Sequence, residues 1–358
     1  MTTTEINAVD QAELGTFVGQ VVVDMGAAIS GLLVHIGDRL GLYKAMAGAG
    51  PITSATLAEK TGTAERYVRE WLANQAAGGY VRYDPKDCTF ELSVEHAMVV
   101  AHEESPVFLA GAFETIASCY ADHEMFVDSF RTGAGIGWDA HDERLFSGVV
   151  RLFRPGYAAH LVDEWLPALD DVVYKLRAGA KVADIGCGHG ASTIIMAQAF
   201  ERSTFTGFDI HQPSILAART AATGAGVTNR ATFEVAAAKD IPGEGYDLIC
   251  LFDALHDMGD PLGAARHIRQ ALAPNGTLLL VEPNAGDALE ENLNPVGRTY
   301  YGLSTVVCTP GSLAQEVGLG LGAQAGEPQL AALLREAGFS RVRRATETPL
   351  NMILEVRP

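Results

Sequence analysis

A glycine-rich turn between a predicted strand and a predicted helix is the segment best suited to binding a ligand. Asp184 lies within the short apolar strand, which runs into Gly186, Gly188 and Gly190 before the helix begins. Glycines accept positive φ and let a ligand approach the backbone, and the helix N-terminus adds unpaired N–H groups and a partial positive charge. Asp209 follows about 20 residues later at the end of the next predicted strand, where an acid can bind ribose hydroxyls. The spacing therefore predicts a nucleotide-binding site.

The glycines alone leave the type of nucleotide open, because Gly186, Gly188 and Ala191 also fit the dinucleotide pattern GxGxxG/A. Asp184 argues against NAD, since a carboxylate just before the first glycine repels a pyrophosphate but attracts a ligand with a free amino group. The last two predicted strands point the same way. A turn of only a few residues joins them, so they must pair antiparallel, which a dinucleotide-binding sheet does not need. A nicotinamide-dependent enzyme is kept as a weaker alternative.

A second group of polar residues follows the predicted strand over residues 246–252. It comprises Asp253, His256 and Asp257, and the carboxyl ends of strands face the ligand crevice of an open α/β sheet. An imidazole can take a proton near neutral pH and so serve as a general base. Either aspartate could orient the imidazole, although an acid so close could instead tie it up.

The order of the predicted elements supports this placement. From Lys181 onward, short apolar strands alternate with helices, which predicts βαβ units and a mostly parallel sheet covered by helices on both faces. The preceding part is mainly helical, and residues 51–93 follow the order of a winged helix: helix, turn, helix, hairpin. We therefore predict an α/β fold with three parts: a winged-helix or dimerisation domain (residues 1–100), a helical connecting region (101–178) and a ligand-binding sheet domain (179–358).

Asp184, Gly186, Gly188 and Gly190 match in full the DxGxGxG pattern of the first motif of class I S-adenosylmethionine-dependent methyltransferases, which residues 160–358 resemble. The resemblance implies a Rossmann-like methyltransferase sheet of seven strands with an antiparallel last strand. It also implies that the glycine turn holds the methionine portion of S-adenosylmethionine and that Asp209 takes the ribose hydroxyls. The cofactor-binding residues predicted in this way are Asp184, Gly186, Cys187, Gly188, Gly190, Asp209, Ile210, Ala238, Asp240, Phe252 and Asp253.

One position departs from the family pattern. Many members place an acid ahead of the position of Pro242 to contact the adenine amino group, whereas this chain has alanines at 236–238. Asp240, a backbone carbonyl or apolar contact must then hold the adenine. Cys187 near the helix N-terminus is compatible with a reactive thiol, but between two glycines it is better interpreted as a small packing residue.

The sequence Leu255-His256-Asp257 is similar to the segment of small-molecule O-methyltransferases in which the histidine is the general base, so His256 and Asp257 are the predicted catalytic residues. Such enzymes often carry a helical, winged-helix-like N-terminal domain that mediates dimerisation. The resemblance thus implies that a homodimer transfers methyl from S-adenosylmethionine to a small-molecule acceptor, with oxygen as the expected nucleophile. The alternative is a ligand-sensing transcriptional regulator that reads DNA with its winged helix.

Two further segments are candidates for the acceptor site. Residues 284–326 are predicted to form a long irregular insertion, whose Tyr300, Tyr301 and Leu303 would act as a lid. Glu282, just before it, is expected to face the same crevice. The middle helices supply aromatic residues that either line the acceptor pocket or belong to the core: Phe113, Tyr120, Phe126, Phe130 and Trp138.

Charge and composition disfavour several other classes of protein. The 26 basic and 44 acidic residues give a net charge of −18, which repels nucleic acid and anionic membranes, and the charges within residues 51–90 cancel. Residues 18–37 are apolar, but Asp24 and His35 favour a packed helix over a membrane span. Residues 1–17 lack the order of a signal peptide. The five cysteines are an odd number without a CxxC pair, so we expect reduced thiols in a cytoplasmic protein and no metal site.

Overall fold

The computed structural model describes residues 9–358. They divide into two compact units, the first ending at Ala117 and the second running from Ser118 to Pro358. The division falls inside the region predicted as a helical connection. The expectation about a signal peptide concerns residues 1–17, of which the first eight lie outside the described residues.

The first unit has the order of elements that predicts a winged helix. Its members are α1 (Gln11–Arg39), α2 (Leu42–Met46), α3 (Ser54–Thr61), α4 (Glu65–Ala77), β1 (Arg82–Asp84), β2 (Thr89–Glu91) and α5 (Val94–Val100). The strands β1 and β2 pair antiparallel as the predicted hairpin. Hydroxyl caps set where helices begin: the Thr53 hydroxyl accepts from the backbone N–H of Thr56, and the Ser93 hydroxyl does the same for His96.

Helix α1 carries an apolar surface that the first unit does not cover. The side chains of Phe17, Val22 and Val23 are exposed, and burial becomes substantial only from Gly31 onward. Among the described residues, α1 is the helix whose length and composition would allow it to cross a membrane, and 11% of its most apolar window is buried. The helix predicted over residues 18–37 is therefore present, but its packing within the first unit is confined to the C-terminal end.

Helices precede the sheet of the second unit. They are α6 (Ala110–Ala121), within which the two units divide, α7 (His123–Thr132), α8 (Arg144–His160) and α9 (Val172–Ala178). Along α8, Phe146, Val149, Phe153 and Tyr157 recur at spacings of three or four residues. This spacing places them on one face of the helix.

Seven strands form the large sheet of the second unit. Their bounds are β3 (Lys181–Ile185), β4 (Thr204–Asp209), β5 (Ala231–Val235), β6 (Tyr246–Phe252), β7 (Leu272–Pro283), β8 (Arg341–Glu347) and β9 (Asn351–Arg357). The spatial order is β5-β4-β3-β6-β7-β9-β8. Neighbours from β5 to β7 are parallel, whereas β9 is antiparallel to both β7 and β8. The predicted α/β fold with an antiparallel last strand is confirmed.

The topology brings the candidate residues to one edge of this sheet. The chain runs from β3 outward to β4 and β5, then crosses to β6 and β7 on the other side. In such sheets the ligand crevice lies outside the carboxyl ends of the strands at the point of reversal, which is between β3 and β6. Hydrophobic cores on both faces of the sheet support this edge. Four helices of the second unit alternate with or follow its strands: α10 (Ala191–Ala199), α11 (Gln212–Gly224), α12 (Pro261–Ala271) and α15 (Gly326–Glu336).

The segment predicted as an irregular insertion, residues 284–326, is largely helical, so that prediction is wrong. It contains α13 (Pro295–Leu303), α14 (Thr309–Leu313) and short helical turns at Leu289–Asn292 and Ser304–Cys308. The start of α13 does have a sequence signal. Asn294 caps the backbone N–H of Gly297, and Pro295 occupies the first turn, where its missing N–H costs nothing.

Candidate active site

A cavity of about 440 Å³ opens at the carboxyl ends of β3, β4 and β6. Its floor is the glycine turn after β3, and one wall is the apolar face of α8. The predicted cofactor residues that line it are Gly186, Cys187, Gly188, Asp209, Ile210, Ala238, Phe252 and Asp253. The structure thus brings together residues that follow or end four strands, β3, β4, β5 and β6, and that lie far apart in sequence.

The glycine turn has the conformation that the sequence predicts. Gly186 and Gly188 adopt φ values of 70° and 51°, a region that side chains with a Cβ rarely occupy. A Cβ on Gly186 would lie 2.6 Å from the Cβ of Ala254, whereas a Cβ on Gly188 would have no atom within 4 Å. Space is therefore left directly above Gly188, on a residue that lines the cavity, as expected where a ligand approaches the backbone.

Asp184 lies beneath this turn and not on the cavity surface. One carboxylate oxygen accepts hydrogen bonds of 2.6 Å from the hydroxyls of Ser192 and Thr193, the second and third residues of α10. The other oxygen is buried without a hydrogen-bond partner. Burial raises the pKa of this carboxyl to about 6, because removal from water disfavours the charged form. Asp184 therefore fixes the start of α10 and retains one buried oxygen toward which no donor is directed.

Asp209 ends β4 beside the turn and lines the cavity. Its carboxylate accepts the backbone N–H of Gly188 and that of His211, each at 2.8 Å. Burial raises the pKa of Asp209, and these two hydrogen bonds oppose the rise. The residue thus joins the glycine turn to the end of β4 through one carboxylate.

The alanines that depart from the family pattern lie on the cavity surface. Ala236, Ala237 and Ala238 line it after β5, together with Lys239. Asp240, which was among the predicted cofactor contacts, is exposed and is not among the lining residues. The structure therefore offers an apolar surface here and does not bring the Asp240 carboxylate to the site.

His256 is buried, and the cavity lining does not include it. Its Nδ1 lies 2.5 Å from a carboxylate oxygen of Glu282, and its Nε2 lies 3.3 Å from one of Asp257. Burial lowers the pKa of the imidazole, but the two carboxylates outweigh it and leave the pKa well above the usual 6.5. His256 therefore lies between two acids that favour its protonated form, and of the three groups Asp257 lines the cavity.

Asp253 lies at the end of β6 with an unusual backbone conformation. Its φ is 50°, and its carboxylate accepts a 2.7 Å hydrogen bond from the side-chain amide of Asn351 and a 3.5 Å contact from the Tyr157 hydroxyl. Burial, followed by repulsion from Glu282, raises the pKa of Asp253 to about 8. The side chain lines the cavity.

The aromatic wall differs from the predicted one. Trp138 lines the cavity, but Tyr120 and Phe130 are exposed, Phe126 is buried elsewhere, and Phe113 packs in the first unit. The aromatic residues that line it instead are Phe146, Phe153, Tyr157 and Phe252. The stripe along α8 is a sequence signal that could have identified the first three.

The predicted lid residues do not line the cavity either. Tyr300, Tyr301 and Leu303 lie in α13, and the Tyr300 hydroxyl donates to the carbonyl of Leu350. The part of segment 284–326 that reaches the cavity is Gln315 and Glu316. Glu316 forms an ion pair with Lys239 at the cavity surface.

Comparison with known families agrees with this architecture. Residues 27–102 match a family model described as an Rv2258c-like winged HTH domain, and residues 176–319 match one described as a methyltransferase domain. The two models cover the predicted winged helix and most of the sheet with its glycine turn.

Individual proteins resemble parts or all of the chain. The 27-O-demethylrifamycin SV methyltransferase of Amycolatopsis mediterranei (strain S699) is 35% identical over 131 residues, which are 34% of this chain and 48% of that protein. The chain spans less than half of the length of the curated relatives it matches. Among solved structures, mitomycin 7-O-methyltransferase MmcR has a TM-score of 0.69 at 23% identity, covering 98% of this chain and all of that one. Human N-acetylserotonin methyltransferase, solved with S-adenosylmethionine, has a TM-score of 0.66 at 18% identity, covering 100% and 99%. At these identities the structures establish the shared fold.

Proposed function

We propose that this chain, in which a winged helix-turn-helix domain is followed by a methyltransferase domain, transfers a methyl group from S-adenosylmethionine to a small-molecule acceptor with an oxygen nucleophile. The observation that carries the proposal is the cavity above the glycine turn, where open space at Gly188 meets the carboxylate of Asp209. The rifamycin relative is an enzyme of the same type by its name, and the match covers 48% of its length.

The residues present fit this cofactor. S-adenosylmethionine carries a positive sulfonium and a positive amino group, and when bound it supplies an electrophilic methyl group. Asp209 and Asp253 line the cavity, and Asp184 beneath the turn holds a buried carboxylate oxygen without a partner. Buried carboxylates favour a cation, because an opposite charge nearby stabilises their ionised form.

Each part of the cavity has an assigned task in this proposal. The glycine turn approaches the methionine portion, Asp209 accepts hydrogen bonds from the ribose hydroxyls, and Ala236 to Ala238 contact the adenine. The aromatic wall of α8 excludes water and faces the acceptor. Because the methyl donor is already activated, positioning of the two reactants supplies much of the rate enhancement, roughly 7 to 11 kcal/mol in favourable cases.

The predicted catalytic pair receives a modified role. We assign His256 the role of a buried cation, held by Glu282, that positions the carboxylate of Asp257 at the cavity surface. A general base must reach the proton that it removes, whereas His256 is buried and does not line the cavity, and its acidic neighbours favour its protonated form. The proton of an acceptor hydroxyl then needs another destination.

We also propose that the protein is a homodimer in which a second copy covers α1. The exposed side chains of Phe17, Val22, Val23 and Met25 follow one another along α1, and a group of exposed apolar side chains of this kind marks an interaction surface. A cytoplasmic location remains a prediction.

Sequence-specific DNA binding is the less supported alternative. A DNA-reading helix presents unpaired basic residues to phosphates and bases. On α4, Arg66 and Arg69 instead pair with Glu70 and Glu65 at 2.6 and 2.7 Å. These cations are already neutralised within their own helix, so the helix offers little charge to a phosphate backbone.

The cofactor assignment is tested by calorimetry with two matched glycine variants. Gly188 and Gly226 both have positive φ and open space where a Cβ would lie, but only Gly188 lines the cavity. Gly188→Leu and Gly226→Leu should therefore carry a similar backbone strain. We expect wild type and Gly226→Leu to bind S-adenosylmethionine and not NADH, and Gly188→Leu to lose at least tenfold in affinity. NADH binding in place of S-adenosylmethionine, or equal affinity in all three proteins, would overturn the proposal.

A further inference from the structure

The backbone is strained at Asp253, the residue that follows β6 and lines the cavity. Four described residues other than glycine have positive φ: Cys88, Asp171, Asp253 and Val317. Of these, Asp253 is the one that lines the cavity. Strain of this kind persists where the surrounding structure over-determines it, and such positions cluster at functional sites.

The strained backbone holds a carboxylate in a defined direction. The backbone N–H of Asp253 donates to the carbonyl of Val281 on β7 at 2.8 Å, which anchors the strand end. The amide of Asn351, itself buried on β9, donates to one carboxylate oxygen at 2.7 Å, and the buried Tyr157 hydroxyl lies 3.5 Å from the other. The hydrogen bond on that second oxygen is long, so this oxygen is the one available to a further donor.

The groups that face Asp253 come from every element around it. Glu282 on β7 and Asp257 after β6 repel its charge, and His256 attracts it. Tyr157 on α8 and Tyr300 on α13 are uncharged phenols in the same surroundings. The carboxyl is therefore easily protonated, as its pKa of about 8 reflects, and lies close to the range in which a base exchanges a proton with a phenol.

We propose that Asp253 is the residue that receives the proton of the acceptor, and that the acceptor is accordingly a hydroxylated aromatic compound. The inference rests on the proposed function and assigns the proton to Asp253, which lines the cavity, and not to His256, which is buried and does not line it. One proton moves from the acceptor hydroxyl to the Asp253 carboxylate, which becomes a neutral carboxyl. The acceptor oxygen keeps the O–H electron pair and uses it for the new bond to the methyl carbon, and the pair of the broken C–S bond remains on sulfur.

The aromatic nature of the acceptor follows from the surroundings of this carboxylate. Tyr157 and Phe252 pack with ring centroids 5.2 Å apart beside Asp253, and Phe153 stacks on Tyr157 at 6.1 Å. These side chains line the cavity together with Trp138. A flat apolar ring with a hydroxyl group fits both the apolar wall and the carboxylate oxygen of Asp253 beside it.

Proton uptake on binding of a phenol analogue tests the proposal without turnover. The experiment is run at about pH 8.5, where both 4-nitrophenol and most of the Asp253 side chain are ionised. Because two anionic oxygens repel each other, they can share the site only if a proton is taken up together with the ligand. The protein is first saturated with S-adenosylhomocysteine, and the heat of nitrophenol binding is then measured by calorimetry in two buffers of different ionisation enthalpy. The difference between the two heats gives the number of protons taken up. Because about a quarter of Asp253 is already protonated at this pH, wild type should take up about 0.7 proton per nitrophenol bound, and Asp253→Asn should take up none.

Two glycine variants separate function from folding. Asp253→Gly and Asp171→Gly both relieve a positive φ, and Asp171 lies away from the cavity at the start of α9. Both should keep or raise the melting temperature, because glycine accepts this conformation without strain. Asp253→Gly should lose the proton uptake, and Asp171→Gly should retain it.

Three results would overturn the inference. Equal proton uptake in wild type and Asp253→Asn removes the assigned role of the carboxylate. Failure of the loaded wild type to bind nitrophenol removes the hydroxylated aromatic acceptor. Failure of S-adenosylhomocysteine to bind removes the proposed function itself, and calorimetry detects this in the loading step before nitrophenol is added.

Discussion

Replacement of Asp184 by asparagine is expected to stabilise the fold while weakening cofactor binding. The side chain is buried under the glycine turn and holds it through Ser192 and Thr193. Burial raises the pKa of the carboxyl from 3.8 to about 6, so the ionised form is costly in the folded state. Asparagine keeps the shape and removes the charge, and the two hydroxyls can rotate to suit an amide.

The size of the effect follows from the pKa difference. Because the pKa is higher in the folded chain, the contribution of this group to stability is complete below about pH 3.8 and is lost as the pH rises through about 6. The loss amounts to about 3 kcal/mol above pH 7. Asp184→Asn, which cannot ionise, should therefore gain up to about 3 kcal/mol at pH 8 and about 2 kcal/mol at pH 5.5. In a unit of this length 3 kcal/mol corresponds to roughly 6 to 12 °C in melting temperature.

Urea unfolding at the two pH values, with calorimetric titration of S-adenosylmethionine, measures both effects. Affinity for the cofactor should fall at least tenfold, about 1.4 kcal/mol, because a negative charge beneath the turn is lost. Asp240→Asn is the control, since that carboxylate is exposed and does not line the cavity. A less stable Asp184→Asn would mean that the bonds from Ser192 and Thr193 outweigh the cost of burial. Unchanged affinity would mean that the cofactor does not use this charge.

Three further outcomes are expected from the same structure. His256→Gln should lower the unfolding free energy by about 3 to 5 kcal/mol, because it leaves carboxylates buried without their cation; the double variant with Glu282→Gln should regain part of this in urea unfolding, and no recovery would contradict the ion-pair assignment. Gly190→Ala should destabilise the fold by about 1 to 3 kcal/mol, because Gly190 has a φ of 78° and an added Cβ would lie 2.6 Å from the ring of Phe233. A melting temperature equal to that of wild type would show that the ring moves freely. Phe17→Lys should convert a dimer into a monomer in light scattering, and a wild-type monomer would refute the proposed use of α1.

The glycine turn could be predicted from the sequence because its requirements are local. Positive φ at Gly186 and Gly188 and the helix start beyond them are set by residue type within a few positions. The alternation of strands and helices likewise depends on short-range patterns, and it predicted the sheet and its antiparallel end. Local signals therefore suffice for the fold and for the floor of the cavity.

The rest of the site depends on contacts between distant parts of the chain. Asp253 contacts Tyr157 and Asn351, which lie 96 and 98 positions away in the sequence. His256 contacts Glu282, which lies 26 positions away. Sequence spacing does not predict partners at such distances, so the strain at Asp253 and the pairing of His256 with Glu282 could not be predicted, whereas the contact of His256 with the adjacent Asp257 could. The aromatic wall is an intermediate case, since its stripe on α8 is visible in the sequence but only packing shows that it faces the cavity.

The buried carboxylates at and beneath the cavity favour a positively charged ligand. Burial raises the pKa of Asp184, Asp209 and Asp253, so each costs stability in the free protein when ionised. Lys239, which lines the same cavity, is already paired with Glu316. A neutral ligand would leave the cost of burying these charges unchanged, and an anionic one would increase it. A sulfonium with an amino group stabilises the ionised forms, so the stability that the free fold gives up is recovered as binding energy and as selectivity for the cation.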